Sequence, residues 1–136
     1  LAELPPEAVD SLFPGQSLPT DTLHSISSKE ALQVNLARIR NTGVAYDLEE
    51  SRPGIVAVGS AILDHQRRPV AAISIALLDT YKRSDAAWKP LARLVKTAAA
   101  LISRDMGCPN RPAQNEPLTL KAAWQEVEQA ELQNQA

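Results

Sequence analysis

The sequence predicts an α+β domain, an antiparallel sheet with helices packed on it. Three observations carry that prediction. Leu32, Leu36 and Ile39 recur at helical spacing and stop at Gly43. Two strongly apolar runs follow, "GIVAVGSAILD" (54–64) and "VAAISIALL" (70–78), separated only by the polar "HQRRP". Helical spacing then returns at Leu91, Leu94, Val95, Ala98, Leu101 and Ile102.

Each element has its own local signal. "LPPEAVDSLF" (4–13) reads as a short first helix, with Pro5 or Pro6 in the first turn, where no amide hydrogen bond is needed. Residues 14–26 form a polar connection. A second helix is expected over Ser27–Thr42, with Ser27 and Glu30 forming a capping box and Gly43 supplying the left-handed residue past its end. "VAYDLE" (44–49) suits a strand. Strand, polar turn and strand over 54–78 read as a hairpin. Its apolar runs suggest a sheet covered on both faces, or a central position in the sheet. A helix is expected over 84–106, with Pro90 tolerated near its start and Gly107 and Pro109 as the stop. "PNRPAQNEP" (109–117) reads as a linker. The tail "LTLKAAWQEVEQAELQ" suits an extra helix with Leu120, Trp124 and Val127 near one face. That tail packs on the domain or supports an oligomer contact. The division expected is 1–107 for the domain and 108–136 for linker and extension helix.

Composition narrows the function. The chain has 136 residues, 44% hydrophobic, with two Trp, two Tyr and one Phe, so its core rests on aliphatic side chains. A net charge of -2 with only short basic pairs, Arg67-Arg68 and Lys82-Arg83, argues against nucleic-acid binding by this chain itself. One cysteine, Cys108, excludes an internal disulfide and fits a reducing cytosol. No apolar run reaches membrane-spanning length, and no secretory signal pattern is visible.

Catalytic motifs are lacking. There is no phosphate loop, dinucleotide fingerprint or nucleophile elbow, so no cofactor is expected. His24 and His65 lie far apart in predicted loops, which argues for two surface histidines over a zinc site. Cys108 reads as a helix-end residue without a role. Trp88 and Trp124 each suit a core gap or a subunit contact. Asp47, Glu49 and Glu50 are the densest acidic group. On pattern alone they are a candidate acid–base pair or the polar end of an edge strand. The second is favoured because charge runs are usually solvated.

The order and spacing of these segments resemble one family. "LARIRNTGVAYDLEESRPGIVAVGSAILDHQRRPVAAISIALL" resembles the effector-binding domain of the IclR family of bacterial transcriptional regulators. The shared pattern is a helix ending in Ile-Arg-x-x-Gly-x-Ala, then an acidic stretch, Pro-Gly and a strand. A turn from Asp64 to Pro69 and a strand with Ala-Ala-Ile-Ser complete it. "LPTDTLHSISSKEAL" looks like the family's connection into the first of these helices, and "LARLVKTAAALISRDMG" like its closing helix. The likeness covers about residues 1–107. It implies a GAF/profilin-like curved antiparallel sheet that binds a small-molecule effector. It also implies a homodimer or homotetramer, a cytoplasmic location without a membrane, and DNA contact only through a winged helix-turn-helix domain that this chain lacks. A further loop ahead of Leu1-Ala2 helps cover the ligand in the family.

The resemblance assigns site residues position by position. Asp47 matches the pocket carboxylate. Ile55 and Ala57 match pocket-lining positions on the next strand, the second often Cys. Ser74 and Ala76 match a Ser-x-Ser pair before Gly-Pro, but here the stretch reads "SIALL". Two small polar groups are thus missing, at Ala57 and Ala76. The effector expected is therefore an organic acid with a larger or more apolar body, aromatic or branched. Glu49 and Glu50 become rim groups. Strand alternation agrees, since Ile55 with Ala57, and Ser74 with Ala76, share faces. Two alternatives stand beside the sensor: an oligomerisation module with a vestigial pocket, and an enzyme using Asp47 as general base.

Overall fold

A computed structural model describes residues 1–78, 85–109 and 120–134. The Lys82-Arg83 pair and most of the linker expected over 109–117 lie outside the described residues. The elements run α1 (Pro6–Leu12), α2 (Lys29–Thr42), β1 (Ala45–Leu48), β2 (Ile55–Leu63), β3 (Pro69–Leu78), α3 (Asp85–Asp105) and α4 (Leu120–Asn134). The fold is α+β, as the changes of period predict.

α1 starts on Pro6, with extended Pro5 before it. α2 is capped by Ser28, not Ser27: Ser28 is extended, and its hydroxyl accepts from the Ala31 amide at 3.2 Å. Ser27 is occupied instead by pairing with the chain that runs beside it, its carbonyl accepting from the Leu18 amide at 2.8 Å. The expected capping box therefore does not form. At the other end Gly43 has φ 75, and its N–H closes the helix on the Ile39 carbonyl.

The sheet has the order β1-β2-β3, with both pairings antiparallel. β2 is its centre, and a register shift between Ile62 and Leu63 marks the far end of the hairpin. Asp64 is only 6% exposed and closes the turn. Its Oδ1 accepts from the Gln66 and Arg68 amides at 2.8 and 2.9 Å, and its Oδ2 from Arg68 Nε at 2.9 Å. The Arg68 N–H bond is the largest cause holding this carboxyl below its ordinary value, with the Arg68 side chain and Gln66 N–H adding to it and burial opposing.

Two hydrophobic clusters organise the described residues. The larger joins Val44, Val58, Leu91, Ala92, Val95 and Val127, so α3 covers one face of the sheet and α4 packs against α3. Tyr46 and Trp88 meet edge to face there, centroids 6.4 Å apart, which makes Trp88 a core filler. The Ser103 hydroxyl accepts from the Leu63 amide at 2.9 Å and donates to the Ala99 carbonyl, tying the end of α3 to β2. The smaller cluster, Ala2, Val9, Leu32 and Leu36, holds α1 against α2.

α4 packs on α3 through Val127, as expected, but not through Leu120 or Trp124. Ala123 and Val127 are buried, whereas Leu120 is exposed and Trp124 is 52% exposed, its indole N–H bonded to Glu128. The small Ala123 lets the two helices approach, and the bulky Trp124 is turned outward. Of the two roles expected for Trp124, a core gap or a subunit contact, this exposure excludes the core gap.

Candidate functional site

The register builds one continuous surface from the three strands. Asp47 lies opposite Ala57, and Ala57 opposite Ala76, in a single row. In the next row Ala45, Gly59 and Ser74 align, and on the other side Ile55 pairs with Leu78. Cross-strand partners share a face, as do residues two apart. Asp47, Ile55, Ala57, Ser74 and Ala76 therefore share the face turned away from α3. It is open: Ile55 and Ala57 are half-buried, Ser74 and Ala76 exposed.

Asp47 stands at the rim of this face and closes the turn that leaves β1. Its Oδ1 accepts from the amides of Glu50 at 2.7 Å and Ser51 at 3.3 Å, and its Oδ2 from the Ser51 hydroxyl at 2.5 Å. This is an aspartate side chain mimicking a backbone turn. Glu49, inside the turn, has φ 63, a left-handed conformation rare for a non-glycine residue. Its carboxylate accepts from the Gly54 amide at 3.2 Å and lies 3.7 Å from His24 Nε2. Glu49 thus serves the turn.

A strap over 21–25 is bonded to the same turn. The Thr22 hydroxyl donates to the Glu49 carbonyl at 2.7 Å, and the Ser25 hydroxyl to the Glu50 carbonyl at 2.5 Å. Strap, α2 and turn enclose an open groove of about 330 Å³, with Phe13, Leu18, Pro19, Ile26 and Leu32 as its apolar wall and Asp21, Ser25, Asp47, Glu50 and Ser51 as its polar one. Burial raises the Glu50 pKa above the ordinary value, the charge of Asp47 raises it further, and Arg38 opposes both.

Among the described residues no group of three His, Cys, Asp or Glu side chains is arranged to hold a metal ion. No described helix is long and apolar enough to cross a membrane. Cys108 follows the end of α3, its amide bonded to the Ser103 carbonyl.

Sequence reasoning brought the five face residues together but missed the groove and the strap. The only signal was the hydroxyl-rich "TDTLHS" (20–25), which looks like any polar loop.

The comparisons with known proteins agree with one another. The family model described as bacterial transcriptional regulator IclR C-terminal matches residues 1–104. The regulator XynR of Escherichia coli is 32% identical over 101 residues, 74% of this chain and 40% of that protein. The transcriptional repressor IclR of Escherichia coli is 36% identical over 75 residues, 55% of this chain and 27% of that protein. The chain thus spans less than half the length of these curated relatives. Among solved structures, the IclR of Thermotoga maritima superposes with a TM-score of 0.69 at 31% identity, over 78% of this chain and 43% of that one. The C-terminal domain of Escherichia coli KdgR gives 0.70 at 28% identity, over 79% of this chain and 65% of that one.

Proposed function

This chain belongs to the IclR family of bacterial transcriptional regulators, as their C-terminal domain, and on that premise we propose that it is a small-molecule sensor and oligomerisation unit. Effector binding on the open sheet face controls DNA binding by a winged helix-turn-helix domain outside these residues. The unit works in the cytoplasm as a homodimer or homotetramer. Residues 1–107 form the sensor, and 108–136 a linker and extension helix. Its relatives are transcriptional regulators, which supports a regulatory rather than a catalytic role.

One observation carries this reading: Asp47, Ile55, Ala57, Ser74 and Ala76 share a single open face. The effector is an organic acid that offers one hydrogen-bond donor to Asp47 and lays an apolar body along Ile55, Ala57 and Ala76. The two alanine methyls give no partner to a small, oxygen-rich acid, whose oxygens would lose water without replacement.

A thermal-shift screen of aliphatic and aromatic carboxylic acids tests this, on the chain and on Asp47→Ala. A ligand at one hundred times its Kd stabilises the folded state by about 2.7 kcal/mol. The expected result is a shift of several degrees with a branched or aromatic acid, lost in the variant. No shift with any acid would hand the site to the second reading, an oligomerisation module with a vestigial pocket, which the bare methyls of Ala57 and Ala76 favour.

A further inference from the structure

We infer that α4 is a self-association helix: two copies of this chain meet along it in antiparallel fashion, with Trp124 at the two-fold axis and Lys121 beside the partner's Glu128. This names a surface for the oligomerisation part of the proposed function, and it rests on that reading. α4 lies beyond residues 1–104, which the family model covers, so the family match assigns it no role. The helix is two-sided. Ala123 and Val127 are 0% and 5% exposed against α3, and Glu126 pairs with Arg93 at 2.7 Å. The other side carries Leu120 and Trp124, neighbours one helical turn apart and both exposed. Exposed apolar side chains scattered singly need no explanation, but two stacked on one helix face form a patch.

Trp124 is prepared for burial. Its indole N–H donates to Glu128 Oε1 at 2.8 Å. A buried indole needs a partner for that group. Here the partner belongs to the same helix, so the ring can enter an apolar contact with no donor left unpaired. The same bond restrains the ring before any contact forms, so less side-chain freedom is lost on association. Trp is also among the residue types that dominate interface centres.

Charge selects a second copy as the occupant. Lys121 is the sole basic residue of α4 and stands in its first turn, with Glu126 and Glu128 further along. The first turn holds no acid and the last turn no base. This order is the reverse of what the helix dipole favours, because the N-terminus is its positive end. Arg93 compensates Glu126. An antiparallel copy compensates the rest, setting the basic end of one helix against the acidic half of the other. The register follows from a rise of about 1.5 Å per residue. With Trp124 on the axis, Lys121 lies about 4.5 Å to one side of it and the partner's Glu128 about 6 Å to the same side, within ion-pair reach and repeated by symmetry. The partner's Leu120 falls about 6 Å to the other side, level with Glu128 and against the indole that Glu128 holds. The patch is therefore self-complementary, as a two-fold contact requires. Two apolar side chains per copy fall short of the roughly 800 Å² that each partner gives to a standard stable interface, so the pairing is reversible.

Sedimentation velocity on the chain over a wide dilution series tests this. The wild type should show a reversible, concentration-dependent rise in mass. Trp124→Ala should raise the Kd of association about thirtyfold, as loss of a central Trp does. Lys121→Glu and Glu128→Lys should each raise it about tenfold, because both ion pairs become like-charge contacts. An equimolar mixture of the two charge variants should associate as the wild type does, since every contact across the axis is again between opposite charges. A merely structural role for either residue gives no such recovery. Lys121→Glu also places an acid where the helix dipole favours one, so its melting temperature should not fall and its loss of association is not loss of α4. A wild-type chain that stays monomeric throughout would overturn the inference together with the oligomerisation reading. An association that none of the three variants weakens, or a mixture that does not recover, would overturn the inference alone and leave oligomerisation to another surface.

Discussion

The two faces of the sheet are built from the same three strands and are not alike. Toward α3, β3 presents Ile73, Ile75 and Leu77, packed against the main cluster, and β2 presents Val56 and the 1%-exposed Val58. Away from α3 the same strands present Ala72, Ser74 and Ala76, then Ala57, Gly59 and Ala61, with Leu78 at the end 68% exposed. The difference is one of size rather than polarity. Apart from Ser74, "VAAISIALL" is apolar, yet from Ala72 to Leu77 small residues alternate with large ones. Large side chains fill the space under a helix, whereas small ones leave room above the strands for something other than protein. A strand with one packed face and one vacant face can therefore be recognised by alternation of volume where alternation of hydropathy is absent.

The sharpest way to test this contrast is to remove volume from the packed face. Leu91→Ala empties the centre of the cluster between α3 and the sheet and should cost about 2–5 kcal/mol in urea unfolding with an unchanged m-value. A cost under about 1 kcal/mol would show that α3 is not seated as described. Ser103→Ala comes next. It leaves the buried Leu63 amide without its acceptor, so a loss of about 1–3 kcal/mol is expected.

The third test changes charge on the hairpin rather than packing. The folded-state pKa of Asp64 lies below its ordinary value, chiefly through the Arg68 amide. Its contribution to stability is present above the unfolded pKa and is lost as pH falls through the folded one. Asp64→Asn should therefore destabilise the chain at neutral pH and approach wild type as the pH drops below the carboxylate range. Glu50 works in the opposite sense. Its folded pKa is raised, first by burial and then by Asp47, so stability falls as pH rises from the ordinary carboxylate value through the folded one. Glu50→Gln should remove that fall and stabilise the chain at neutral pH. Melting curves across the acid range separate the two variants by the sign of their slopes.

These particulars also show what the sequence makes legible. Period identifies α2, α3 and the hairpin, because burial repeats every 3.6 or every two residues whatever the partner is. It cannot choose between Ser27 and Ser28 as cap, since both offer a hydroxyl and only pairing with Leu18 decides. It places Val127 on the buried face of α4 but not Ala123, whose small side chain carries little hydrophobic signal. The five face residues were found through resemblance together with strand alternation. The bonds from Thr22 and Ser25 to the carbonyls of Glu49 and Glu50 cross more than twenty positions, join side chain to backbone, and have no period to detect.

The smallest stability effect belongs to the open face, and it has the most to say about function. Ala57→Cys with Ala76→Ser supplies the polar groups that the family pattern leads one to expect beside Asp47. Both positions lie in the Asp47 row, and neither supports the α3 cluster. The double variant should stay within about 0.5 kcal/mol of the parent, as surface substitutions do. A loss above about 1 kcal/mol would mean that this face is packed after all, and the contrast between the faces would fail. With stability unchanged, the variant isolates ligand chemistry. A thiol and a hydroxyl beside Asp47 can pair the oxygens of a small acid that the two methyls leave unpaired, at about 0.5–1.5 kcal/mol for each hydrogen bond. In the carboxylic-acid screen its preference should move toward smaller, more oxygenated acids. If selectivity stays put, the ligand does not lie along this row.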